Sequence, residues 1–156
     1  MRLPGIPRIA LVVAFVGSLA ACHHSDTTTA PGSLANVTVT GPNSVTSGQS
    51  FDVDVAATAV GINNVHNGMV TVTVPAPLTI LSTNASSGTS ATVSGNTVTW
   101  NVGTLDSNSQ STLHVNLMGT LPGGSNAQSV AIQAQLTATG INPGDATAST
   151  TVQINP

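Results

Sequence analysis

From Leu34 to Ile154 the chain alternates apolar and polar residues with a period of two. In LANVTVT, Val37 and Val39 share one side and threonines take the other. In FDVDV, Phe51, Val53 and Val55 oppose Asp52 and Asp54. MVTVTV aligns Val70, Val72 and Val74, and TVTWNV aligns Val98, Trp100 and Val102. LHVNL groups Leu113, Val115 and Leu117 and turns His114 and Asn116 outward. SVAIQAQLT groups Val130, Ile132, Ala134 and Leu136, and TTVQI ends the pattern with Val152 and Ile154. Side chains of a strand point alternately to its two faces, so this pattern predicts strands with one dry and one wet side. The valines and threonines fit, because β-branched side chains pack well on a pleated surface. No segment in this region keeps a helical period.

The runs are separated by turn chemistry: Gly41-Pro42-Asn43, Ser47-Gly48, Pro75-Ala76-Pro77, Pro122-Gly123-Gly124 and Asn142-Pro143-Gly144. In ATVSGNTVTW, Gly95-Asn96 reads as a two-residue hairpin loop of type I′ or II′. It sets Ser94 opposite Thr97, Val93 opposite Val98 and Ala91 opposite Trp100. Short, regularly spaced, one-sided strands predict an all-β domain over 34–156, an antiparallel immunoglobulin-like β-sandwich, with a closed barrel as the alternative.

The N-terminus follows a different grammar. MRLPGIPRIALVVAFVGSLAAC places Arg2 and Arg8 before an apolar run, Ile9 to Val16, and small residues before Cys22. That is the order of an export signal. The run is shorter than the roughly 20 apolar residues of a membrane-spanning helix. Leu19-Ala20-Ala21-Cys22 resembles the lipobox of bacterial lipoproteins. The resemblance implies a lipoprotein signal peptide over 1–21, cleavage before Cys22, and lipidation of the Cys22 thiol. It accounts for the single cysteine, which has no partner for an internal disulfide. The polar stretch HHSDTTTAPGS, His23 to Ser33, reads as a flexible tether over 22–33 that could reach about 40 Å when extended. By the same resemblance, a residue other than aspartate after the cysteine favours the outer membrane of a Gram-negative envelope.

Removal of the signal would also remove both arginines. The chain has no lysine, and its five acids are all aspartates: Asp26, Asp52, Asp54, Asp106 and Asp145. Nucleic-acid backbones are bound by displacing counterions with Lys or Arg, so nucleic acid is excluded as a partner class. Polybasic attraction to anionic lipid is excluded on the same ground. A membrane attachment would rest on acyl chains, and more than one chain is needed for firm anchoring.

The domain also resembles a bacterial repeat family, domain of unknown function eleven. The resemblance runs through VTSGQSFDVDV, MVTVTVPAPLTIL and SGNTVTWNVGTLDSNSQSTLHVNL. Its most specific parts are Val98 to Leu105, followed by a polar loop and the Leu113 to Leu117 strand, and the Pro75 to Thr79 run. It implies an immunoglobulin-like sandwich in an exported, surface-associated protein, and it carries over no catalytic residue. Only one copy is present, and Ala57 to Asn64 lacks the family's Asn-x-Gly turn. Cohesin-type modules share a similar strand grammar.

Several residues could carry chemistry. His23-His24 beside Cys22 offers metal-ligand types, but an acylated cysteine leaves two imidazoles without fixed geometry. Asp52 and Asp54 lie on one strand face about 6.6 Å apart. That is near the spacing of a glycosidase acid pair, and carboxylates also suit calcium. Without tyrosine, and with Phe51 and Trp100 on apolar faces, sugar-stacking platforms are lacking. Trp100 reads as core. His66 falls in a loop and His114 on a wet face. No Gly-x-Ser-x-Gly elbow, P-loop or Gly-x-Gly-x-x-Gly fingerprint is present. The expectation is a non-catalytic cell-envelope lipoprotein with no metal or cofactor. It would present its domain for structural or adhesive interaction with a protein or glycan. The alternatives are a glycan- or calcium-binding module, placed at Asn63 to Asn67, Asp106 or Asp145, and an enzyme.

Overall fold

A computed structural model describes residues 23–29, 34–86 and 88–156, and none of these is helical. Among the described residues, eleven strands follow one another. They are β1 (His23–Thr29), β2 (Ala35–Pro42), β3 (Ser44–Thr46), β4 (Ser50–Ala59), β5 (Val65–Thr73) and β6 (Leu78–Ala85). After them come β7 (Ser90–Ser94), β8 (Thr97–Leu105), β9 (Gln110–Gly119), β10 (Gln128–Thr137) and β11 (Ala146–Asn155). The hydrogen-bonded order is β6-β9-β4-β2-β1-β11-β10-β5-β8-β7, with β3 beside β11. All pairings are antiparallel except β3 with β11. The fold is therefore an all-β immunoglobulin-like sandwich. One layer is β6-β9-β4-β2, and the other is β11-β10-β5-β8-β7.

The two layers share one core because each strand buries alternate residues. Val53, Val55, Val70, Val72, Val98, Trp100, Leu113, Val115, Leu117, Ile132 and Leu136 are all fully buried. These are the positions that the sequence alternation assigned to the dry faces. Thr150 is the polar member of this core. The hairpin register is as expected, with Ser94 opposite Thr97, Val93 opposite Val98 and Ala91 opposite Trp100. Gly95 has φ 57° while Asn96 lies outside the left-handed region, which makes the turn type II′.

The expected tether is corrected over His23–Thr29, which form β1. Its first half pairs with β2, His23 opposite Pro42 and Asp26 opposite Val39. Its second half pairs with β11, Asp26 opposite Ser149 and Thr29 opposite Ala146. The strand changes partner at Asp26 and sews the two layers together along one side. The cause is the presence of two strand edges, that of β2 and the Ala146–Ser149 stretch of β11 that β3 leaves uncovered, whose N–H and C=O groups offer partners to an extended segment. No apolar alternation marks β1, so the period-two pattern passed over it. Among the described residues, the strands thus begin at His23 rather than after Leu34. The signal segment and Cys22 lie outside the described residues.

Register also fixes two poles. One gathers His23, Pro42, Ser50, Gly119, Leu78 and Ile154. The other gathers the ends of β4, β5, β8, β10 and β11 around Ala59, Val65, Leu105, Thr137 and Ala146, with the loops between them.

Candidate functional site

Each polar residue singled out in the sequence has a definite place. Asp52 and Asp54 project from β4 on the wet face of the first layer, opposite Asn116 and His114 of β9. Asn116 Nδ2 donates to Asp52 Oδ1 at 2.6 Å. His114 Nδ1 lies 2.5 Å from Asp54 Oδ1. Both members of the His114–Asp54 pair are more than half exposed. The two carboxylates therefore each face a cross-strand partner. They line no cleft.

The residues named as a possible binding site lie at the pole away from His23, and the expected loop is corrected at Val65, His66 and Asn67, which open β5. The Ser107 amide donates to Asn64 Oδ1 at 3.0 Å, and Asn67 Nδ2 donates to Thr139 Oγ1 at 3.2 Å. His66 Nδ1 is 3.5 Å from Thr104 Oγ1. Asp145 Oδ2 accepts from the Asn142 amide at 3.1 Å, so its carboxylate closes its own turn. Ile62, 90% exposed, stands at the tip of this pole. Among the described residues, no three His, Cys, Asp or Glu side chains gather closely enough to hold a metal ion.

The second layer has a different surface. Its wet face carries two cross-strand ranks, Thr92–Thr99–Thr71–Gln135–Thr147 and Ser94–Thr97–Thr73–Gln133–Ser149. Two shallow concavities of about 340 Å³ and about 640 Å³ lie on this face. Their linings are Thr, Ser, Gln, Asn, Gly, Ala and Met, and neither contains a titratable residue. An acid, base or nucleophile with its orienting partner is the minimum for catalysis, and these hollows supply neither acid nor base.

Trp100 is fully buried, as the alternation indicated, and its Nε1 has no hydrogen-bond partner. Sequence reasoning missed the His114–Asp54 and Asn116–Asp52 pairs. Their outward direction was legible, but the adjacency of β4 and β9 was not.

No protein-family model matches the chain, and a comparison with curated proteins finds no match either. Solved structures do share its fold. A cohesin module of a family 33 glycoside hydrolase from Clostridium perfringens superposes with TM-score 0.57 at 18% identity, over 78% of this chain and 97% of the module. The cohesin of a type I cohesin–dockerin complex from Clostridium thermocellum gives 0.56 at 10% identity, over 78% and 94%. A CARDB domain from Pyrococcus furiosus, solved with two metal ions, gives 0.52 at 19% identity, over 77% and 86%. At these identities the likeness is one of fold.

Proposed function

We propose that the chain is a non-catalytic, lipid-anchored domain of the bacterial cell envelope that works by presenting its sandwich for protein interaction. The observation that carries the non-catalytic reading is the separation of titratable groups from hollows. Asp52, Asp54 and His114 sit on an open face in cross-strand pairs and Asp145 closes its own turn, while the two concavities of the second layer are lined by neutral residues. Interaction domains of the cohesin type, one of them solved with its dockerin, share the fold and support the reading.

The anchor rests on Leu19-Ala20-Ala21-Cys22 at the end of the apolar run and on the resemblance of that stretch to a lipobox. The resemblance to the domain-eleven repeats, strongest in Val98 to Leu105, agrees with export and surface association. His23 after the cysteine favours the outer membrane. The test is Cys22→Ser with metabolic palmitate labelling and membrane fractionation. The expected result is a labelled, membrane-bound wild type and an unlabelled variant that does not mature. An unlabelled wild type in the soluble fraction would overturn the anchor.

A further inference from the structure

Both ends of the hydrogen-bonded order are strand edges, and the two differ. β6 is irregular, because its register with β9 slips between Ile80 and Ser82. A bulge of this kind spoils an edge as a template for further pairing. β7 is regular over all five residues, Ser90 to Ser94, and among the described residues it pairs with β8 alone. It has no proline and no charge, the two common guards of a free edge. Val93 remains 44% exposed although it points to the apolar side of the sheet.

The β7 sequence is also symmetric in kind. In Ser-Ala-Thr-Val-Ser, hydroxyl residues occupy the two ends and the middle, and small apolar residues fill the places between. An antiparallel pairing of two copies about Thr92 sets Thr92 against Thr92, Ser90 against Ser94 and Ala91 against Val93. Hydroxyls meet hydroxyls on the wet face, and apolar residues meet on the dry one. The backbone phase agrees. The two-residue loop makes Ser94 and Thr97 a hydrogen-bonded pair, so Thr92 and Ser90 also direct their backbone groups to β8. The N–H and C=O of Ala91 and Val93 therefore point outward. A second β7 docked about Thr92 satisfies all of them in both copies.

We propose that the β7 edge is a self-association site at which two copies of this chain join their second layers into one continuous sheet. The contact is isologous, since one surface serves both partners. Its short edge makes it a weak contact of the transient class. The proposal holds with or without lipid on Cys22.

Disulfide trapping tests it. In a Cys22→Ser background, which removes the sole native thiol, Thr92→Cys places two sulfurs across a non-hydrogen-bonded pair. The Cα separation there is about 4.5 Å, within disulfide reach. Thr151→Cys, on the exposed wet side of β11, is the control for random collision. The expected result is a disulfide dimer of Thr92→Cys forming at least tenfold faster than that of Thr151→Cys. Adding Val93→Lys should return the rate to the control level, and so should Val93→Pro. The latter removes only an outward N–H and leaves the β7–β8 ladder intact. Trp100 emission reports that each variant is folded, and Val93→Lys decides if the proline variant is not. Equal rates for the two cysteine variants, or a Thr92→Cys rate unchanged by Val93→Lys, would overturn the proposal.

Discussion

Trp100 is the largest side chain of the core and is fully enclosed. Its truncation leaves a void between the layers, so Trp100→Ala should lower stability by about 3–5 kcal/mol in urea unfolding. Its emission should be blue-shifted in the native state and move to the red on unfolding. Gly119 is enclosed for the opposite reason. A Cβ there would stand 2.8 Å from Ile154 Cδ1 and 3.2 Å from Leu78 Cδ2. Gly119→Ala should therefore cost about 1–3 kcal/mol through overpacking, read by the same unfolding curves. By contrast, Asp54 holds His114 in an exposed pair on the wet face, where water screens the attraction. Asp54→Asn should change stability by less than about 1 kcal/mol. The sequence revealed which of these residues point inward, because direction follows from alternation. It did not reveal the close approach at Gly119, which depends on β9, β11 and the Pro77–Leu78 corner meeting at one pole.

Legibility falls off wherever an element departs from regular alternation. β6 buries Leu78, then half-buries Ile80, Thr83 and Ala85, a slip of one residue that follows from its bulge. A one-residue slip exchanges the faces and erases the period-two signal. β3 is too short to show a period, and β1 has no apolar face in its sequence. The β7–β8 hairpin was readable to the residue because its turn chemistry is local. Gly95 has φ 57° and open space around it, so Gly95→Ala carries a backbone penalty alone, about 1–2 kcal/mol. Circular dichroism during thermal unfolding would detect it. Deleting His23–Thr29 would strip a partner from both β2 and β11. The expected outcome is a loss on the order of a few kcal/mol from the broken ladder, with association through the bared edges. A free tether would be deleted without either effect.

The order of strands belongs to the molecule as a whole, and the sequence carried little of it. Neither the pairing of β4 with β9 nor the insertion of β1 between the layers follows from local pattern, since both join segments distant along the chain. Composition, a whole-molecule property as well, was fully legible. No lysine or arginine occurs beyond Arg8, so trypsin should release no fragment from Cys22 to Pro156 even after complete unfolding, as mass spectrometry would show. The placement of β1 has a further consequence. His23 lies at one pole, one residue after the proposed lipid attachment, and strands of ten residues span about 33 Å from that pole to the other. Two molecules joined antiparallel through β7 point their His23 poles in opposite directions. Such a pair could not stand side by side on one bilayer. It would reach across a gap and hold two membrane surfaces together, in the manner of a homophilic cell–cell contact.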